Sequence, residues 1–177
     1  MKRISIILIF GICTSALGQK YAAEKSFVSF FSKATIEDIT AHNTKSQSIF
    51  NAATGEIVFV IPIQEFQFAK SLMKEHFNEK YMDTEKFPKS TFQGKITGFD
   101  IHATGEQQAK AVGKLTIHGV TKDIEIPGTL QIVNGKVMMK SSFIVKLDTY
   151  NITRPQLMWQ NIAEQVEVKI EFTFKPI

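Results

Sequence analysis

Cysteine is nearly missing from this sequence: Cys13 is its single thiol. Intramolecular disulfides are therefore excluded as a source of stability. Metal-site patterns are missing too. The four histidines, His42, His76, His102 and His118, form no His-Glu-x-x-His element and no pair at helical i, i+4 spacing. Glu75, His76 and Glu79 are close in sequence, but a helix turns His76 about 100° away from the face that Glu75 and Glu79 share. No Gly-x-Ser-x-Gly elbow is present, and no glycine-rich loop opens a helix. These absences leave no catalytic residue, no metal ligand and no cofactor to assign. Basic clustering is also lacking. The formal net charge is +4, with lysines and glutamates interleaved along the chain, which is no footprint for nucleic acid. No segment is apolar for long enough to cross a bilayer as a helix, so stable membrane insertion is not expected.

The first residues have the pattern of a secretory signal. Lys2 and Arg3 precede an apolar run over residues 4–12, and Ala16-Leu17-Gly18 supplies small residues where a signal peptidase reads. Cleavage is expected after Gly18, which removes Cys13 and leaves residues 19–177 as one domain, large enough for a core of its own. Lipidation at Cys13 is the rival reading, opposed by the bulky Ile12 before it.

Most of the remaining chain alternates with period two, the mark of half-buried strands. Over residues 123–132, Ile124, Ile126, Leu130 and Ile132 share one face, and Asp123, Glu125, Thr129 and Gln131 share the other. Asn134-Gly135 is a strong hairpin signal, because both residues tolerate the positive φ of a type I′ turn. The return strand aligns Val137, Met139, Phe143, Val145 and Leu147, and near the end Val166, Val168, Ile170, Phe172 and Phe174 align in the same way. Further strands are predicted over residues 26–32, 56–63, 91–99 and 110–118. In the last two, Gly94, Gly98 and Gly113 mark bends of the kind that closing sheets require. The pattern predicts an all-β sandwich or barrel; a single antiparallel barrel of about eight strands is preferred, because long alternating strands repeat along nearly the whole chain and closure removes exposed edges, although periodicity alone does not decide between the two.

One segment breaks the alternation. Phe66, Ala69, Met73 and Phe77, with Leu72 and His76 beside them, recur at three- and four-residue spacing, while Lys70, Lys74, Glu75 and Asn78 face the other way. This predicts a short helix near residues 66–78, packed on the barrel as a lid or plug. Phe87-Pro88 ends the region, because a residue before proline is driven toward extended backbone.

Fifteen phenylalanines, one of them in the leader, give an apolar excess. Such side chains ordinarily fill cores. A barrel of eight strands is either filled by them or holds one small ligand, and the periodicity alone leaves both possibilities open.

Five segments taken together carry a family resemblance: "KLTIHGVTKDIEIP" (residues 114–127), "EKFPKSTFQGKI" (85–96), "FFSKATIEDITAHN" (30–43), "LMKEHFNEKYM" (72–82) and "LDTYNI" (147–152). The combination resembles the YceI-like family of bacterial lipid- or polyisoprenoid-binding proteins. The resemblance implies a lipocalin-like barrel, a periplasmic or secreted location, and a long-chain isoprenoid, quinone or similar amphiphile as partner. One departure is plain: many members carry an Arg-x-x-Tyr/Phe-Gly element late in the chain, and residues 147–151 here lack both the arginine and the glycine. The candidate lipid contacts are Phe59, Phe66, Leu72, Met73, Phe77, Phe92, Leu115, Ile117, Phe143, Val145, Leu147 and Val168. His118, in the Ile-His-Gly run, is read as a structural hydrogen-bonding residue at a strand end. The competing readings are a filled barrel without a ligand, and a lipid-modifying enzyme that would have to use His76 or His118. The sequence does not distinguish a monomer from a homodimer.

Overall fold

The computed structural model describes residues 20–33, 38–153 and 163–177. The expected leader, residues 1–18, lies outside them. Ten strands run in chain order: β1 (Lys20–Ser32), β2 (Ile39–Asn43), β3 (Gln47–Asn51), β4 (Glu56–Pro62), β5 (Gln67–Phe68), β6 (Lys89–Thr97), β7 (Glu106–Ile117), β8 (Val120–Val133), β9 (Lys136–Lys146) and β10 (Gln165–Pro176). One helix, α1 (Ser71–His76), follows β5 and widens into a π turn at Phe77–Tyr81. Eight strands close a ring in the order β10-β9-β8-β7-β6-β4-β3-β1, sealed by antiparallel pairing of β1 with β10. Strands β2 and β5 lie outside the ring as a flap continued from β1.

The flap arises because β1 changes partner along its length. Lys20 to Ala22 pair with β3, whereas Val28 to Ser32 pair with β2. Asn43, at the end of β2, braces the fork. This side chain is wholly buried, donates to the Pro62 carbonyl at 2.7 Å and accepts from the Lys45 amide at 2.7 Å.

β1 also contains a bulge between Ala23 and Lys25. One extra residue reverses which side chains face inward. Before it, Tyr21 and Ala23 pack in the core; after it, Val28 and Phe30 do so, while Phe27 and Phe31 are left exposed. The apolar residues on both faces of this strand have that origin. At the bulge, Glu24 accepts a hydrogen bond from Lys136, which holds its carboxyl below the usual range.

Two differences from the sequence expectation concern strands. β1 begins at Lys20, six residues before the span read from alternation, and β2 and β3 were not anticipated. Both are only five residues long, too short to establish a period. A third concerns the helix, which starts at Ser71 instead of residue 66. Gln67 and Phe68 pair with His42 and Ala41 of β2, so sheet pairing overrides the helical spacing there. Ala69, expected on the apolar face, is exposed.

The wall between β8 and β9 is paired only in part. Their ladder runs from the Asn134-Gly135 turn to Thr129 opposite Lys140 and then stops, although β8 continues back to Val120 and β9 on to Lys146. Pro127 explains the stop. Its carbonyl accepts from Ser141 Oγ at 2.5 Å, so its β9-facing side has an acceptor but no amide to donate. Beyond this point the two strands form a seam.

Gly94 and Gly113 face each other across β6 and β7. A Cβ on Gly113 would lie 2.3 Å from the Gln93 carbonyl oxygen and 2.5 Å from Gly94 Cα. The strands approach this closely only because both side chains are absent. Gly113→Ala is therefore expected to cost about 3 kcal/mol, as overpacking against backbone does, read as a lower urea midpoint at unchanged slope.

Candidate functional site

The barrel interior divides into a filled part and a hollow part. At the end where β1 starts and β10 finishes, Phe50, Ile57, Val137 and Phe174 are almost completely buried, and Tyr21 is 3 % exposed. Phe50 meets Tyr21, Phe99 and Phe174 at ring-centroid distances of 6.2, 5.6 and 6.2 Å. Aromatic rings at such separations attract one another beyond simple burial, and none of these residues lines a cavity.

Toward the other end the interior holds a cavity of about 520 Å³. Its deep boundary is made by Phe59 and Phe172, edge to face at 4.8 Å, with Ile96, Leu130 and Met139. Its walls come from seven of the ring strands, β1, β4, β6, β7, β8, β9 and β10, mostly through inward residues, with the exposed Lys110, Pro127 and Lys140 bordering it near the β8–β9 gap. A strip of small residues (Ala109, Ala111, Gly128 and Ser141) widens the hollow where β7, β8 and β9 pass it. The lining is mostly apolar, with Lys70, Lys110, Thr129, Lys140 and several serines among its polar members. Ser32 and Ser90 are buried, and the Ser32 hydroxyl accepts a hydrogen bond from the Ala163 amide. Burial pushes the Tyr81 phenol above its ordinary value, so it presents a neutral O–H at pH 7. Among the described residues no three histidines, cysteines or carboxylates converge to hold a metal.

The helical segment covers the hollow. Phe30 of β1 packs on Phe66, Phe68 and Phe77 at 5.5, 6.0 and 5.4 Å, which fixes the segment to the barrel through an aromatic cluster. The π turn, with the Met82 amide bonded to the Phe77 carbonyl at 2.9 Å, lets Phe77, Tyr81 and Met82 all reach the cavity.

All twelve residues singled out in the sequence line this one cavity. Phe59, Phe92 and Leu115 are directly opposite one another across β4, β6 and β7. Phe143, Val145 and Val168 lie on the paired β9 and β10. Ile117 ends β7, and Leu147 follows β9, where it is buried. Phe66 lines the cavity from the turn before β5, not from a helix. Met73 and Phe77 are half-buried, while Leu72 is 57 % exposed and touches only the rim. The sequence reading missed Val28 and Phe30, because the β1 bulge obscures their parity, and Tyr81 and Met82, because a π turn has no regular α period. Ile126, Leu130 and Phe172 were read as inward-facing without being separated from ordinary core.

The two histidines of the enzyme reading lie apart. His76 lines the cavity beside the helix, whereas His118 does not line it. His118 and Gly119, with φ of 50° and 75°, form the tight turn between β7 and β8. The imidazole Nδ1 is 3.3 Å from the Tyr150 carbonyl oxygen, and the ring meets Phe87 edge to face at 4.5 Å. Three of the segments that carry the family resemblance, those with Phe87, His118 and Tyr150, thus meet at one structural joint.

A family model described as a YceI-like domain matches residues 20–174. The fold is similar to that of a polyisoprenoid binding domain from Saccharophagus degradans implicated in plant cell wall breakdown, with a TM-score of 0.76 at 16% identity over 89% of this chain and 98% of that one. BcnA of Burkholderia cenocepacia gives a TM-score of 0.70 at 20% identity, covering 84% of this chain and 95% of that one. A YceI protein of Campylobacter jejuni gives 0.62 at 17% identity, covering 80% of this chain and 86% of that one. No curated protein matches the sequence.

The joint at His118 generates a contrast between two glycines of the same turn type. A Cβ on Gly119 would stand 2.4 Å from the Phe87 ring, whereas one on Gly135, at φ 74°, meets nothing within 4 Å. Gly135→Ala is expected to cost about 1 kcal/mol, the ordinary left-handed penalty. Gly119→Ala is expected to cost at least about 1 kcal/mol more, because Phe87 has to move. Thermal or denaturant melting of the two variants measures the difference.

Proposed function

The chain belongs to the YceI-like family, and on that premise we propose that it is a binding protein that holds a long-chain amphiphile, an isoprenoid, isoprenoid quinone or fatty chain, inside the barrel. The observation that carries this reading is the hollow itself: about 520 Å³ with a mostly apolar lining, in a protein whose opposite end is packed solid. Evacuated apolar space forfeits packing contacts, and a hydrocarbon restores them while leaving water, at roughly 0.8 kcal/mol per methylene. The relative from Saccharophagus degradans is described as a polyisoprenoid binding domain, which points the same way.

A barrel serving only as a structural element would have its interior occupied throughout, and this one is occupied only at one end. An enzyme would need a reactive group within reach of the ligand. His76 reaches the cavity wall, but no aspartate or glutamate stands with it among the described lining residues. Delivery to the periplasm or the exterior, with the leader removed after Gly18, fits the basic and apolar residues at the start of the chain and completes the proposal.

Mass spectrometry of an organic extract of the purified protein is expected to find a stoichiometric long-chain lipid, and native mass spectrometry a matching mass increment. Met73→Glu and Val145→Glu place a carboxylate at the lid and in the wall. Each is expected to weaken lipid binding at least tenfold, about 1.4 kcal/mol, with far-UV circular dichroism unchanged. Folded variants that keep full affinity would remove the cavity as the binding site.

A further inference from the structure

The two ends of the hollow differ in how much they can yield, and ligand selection depends on that difference. At the deep end, Phe59 and Phe172 stand edge to face at 4.8 Å, and Phe172 stacks on Phe174 at 5.9 Å. Beneath them Phe174, Phe50, Val137 and Ile57 are each 0–1 % exposed. A core packed to this degree has no room for further methylenes. At the other end Met73, on a six-residue helix, and Phe77, in the π turn after it, are half-buried, and Leu72 is exposed.

We propose that the Phe59–Phe172 pair is a fixed floor that sets how many carbons of a ligand's chain the barrel can bury, with any longer portion leaving past the helix or at the β8–β9 seam, where Lys110, Pro127 and Lys140 border the cavity. The inference rests on reading the cavity as a lipid site and adds a length specificity to it. The size follows from the volume. A methylene fills about the ~30 Å³ share of a liquid water molecule, so 520 Å³ accommodates on the order of 15 to 20 carbons. A short isoprenoid or an ordinary fatty chain fits within that limit. A much longer polyprenyl chain would be gripped only over its inner part.

The test is a chain-length series. Normal alkanols from about eight to about twenty-two carbons displace a fluorescent anthroyloxy-labelled palmitate from the protein, and their affinities are compared. Affinity is expected to rise about fourfold per methylene and then to level off near the carbon number that fills the cavity. Phe172→Ala lowers the floor, and Phe172→Leu does so with less risk to folding; both are expected to move the plateau to longer chains. Ala111→Leu, which projects into the same hollow, is expected to move it to shorter ones. An affinity that climbs through the whole series, or a plateau that stays in place in the variants, overturns the floor while leaving lipid binding intact. Failure of the labelled palmitate and of every alkanol to bind overturns the lipid reading itself, and the floor with it.

Discussion

The pairing of β1 with β10 is the constraint on which the rest depends. From Tyr21 opposite Pro176 to Phe31 opposite Glu167, the first and last described strands join and turn an open sheet into a ring. An open sheet of these strands would bury one face only by collapsing onto itself, and would expose two edges. Closure removes both edges and holds the opposite walls apart, so an interior can persist without being filled. The same pairing gives the protein a high contact order. The last strand must be present before the ring exists, and a barrel of this kind pays its loop entropy before its longest-range contacts form.

Phenylalanine does two jobs inside that ring. At the closed end, Phe50 and Phe174 are buried outright and supply the density of an ordinary core. At the helix end, the buried Phe66 and the half-buried Phe30, Phe68 and Phe77 form a cluster that joins a short helix to the wall. A six-residue helix has little stability of its own, so its position is set by that aromatic cluster. The molecule thus couples a stiff base to a cover held mostly by side-chain packing. A binding protein needs such a division: shape at one end, and access at the other.

Much of this was legible in the residues. Long alternating strands such as β8, β9 and β10 fix their own inward faces, and the glycines at 94 and 113 mark where the wall bends. Inward parity also brought the strand residues Phe59, Phe92, Leu115, Phe143, Val145 and Val168 to one cavity, while the helical spacing brought Met73 and Phe77 there and left Leu72 at its rim. Three things were not legible, each for a physical reason. The bulge at Glu24 shifts parity by one residue and leaves no composition signal. The sheet pairing of Gln67 and Phe68 depends on β2, a partner about 25 residues earlier in the chain, and no local pattern reports it. The division of inward residues into packed core and cavity lining depends on the ring's shear and on the small side chains of Ala109, Ala111 and Gly128. These are properties of how strands pass one another, not of any one strand.

The seam between β8 and β9 gives the wall an uneven strength. The neighbouring β7–β8 and β9–β10 junctions are ladders over nearly the whole of the shorter strand, but this one carries five residue pairs between strands of 14 and 11 residues and ends at Thr129 opposite Lys140. Local opening of a protein follows its fewest hydrogen bonds. Amide protons on the facing sides of residues 120–126 and 142–146 lack the ladder partners that those in the β7–β8 and β9–β10 ladders have. The barrel has a grain, like split wood: the line beside the hollow is laddered over less of its length than the β1–β10 closure that defines the ring.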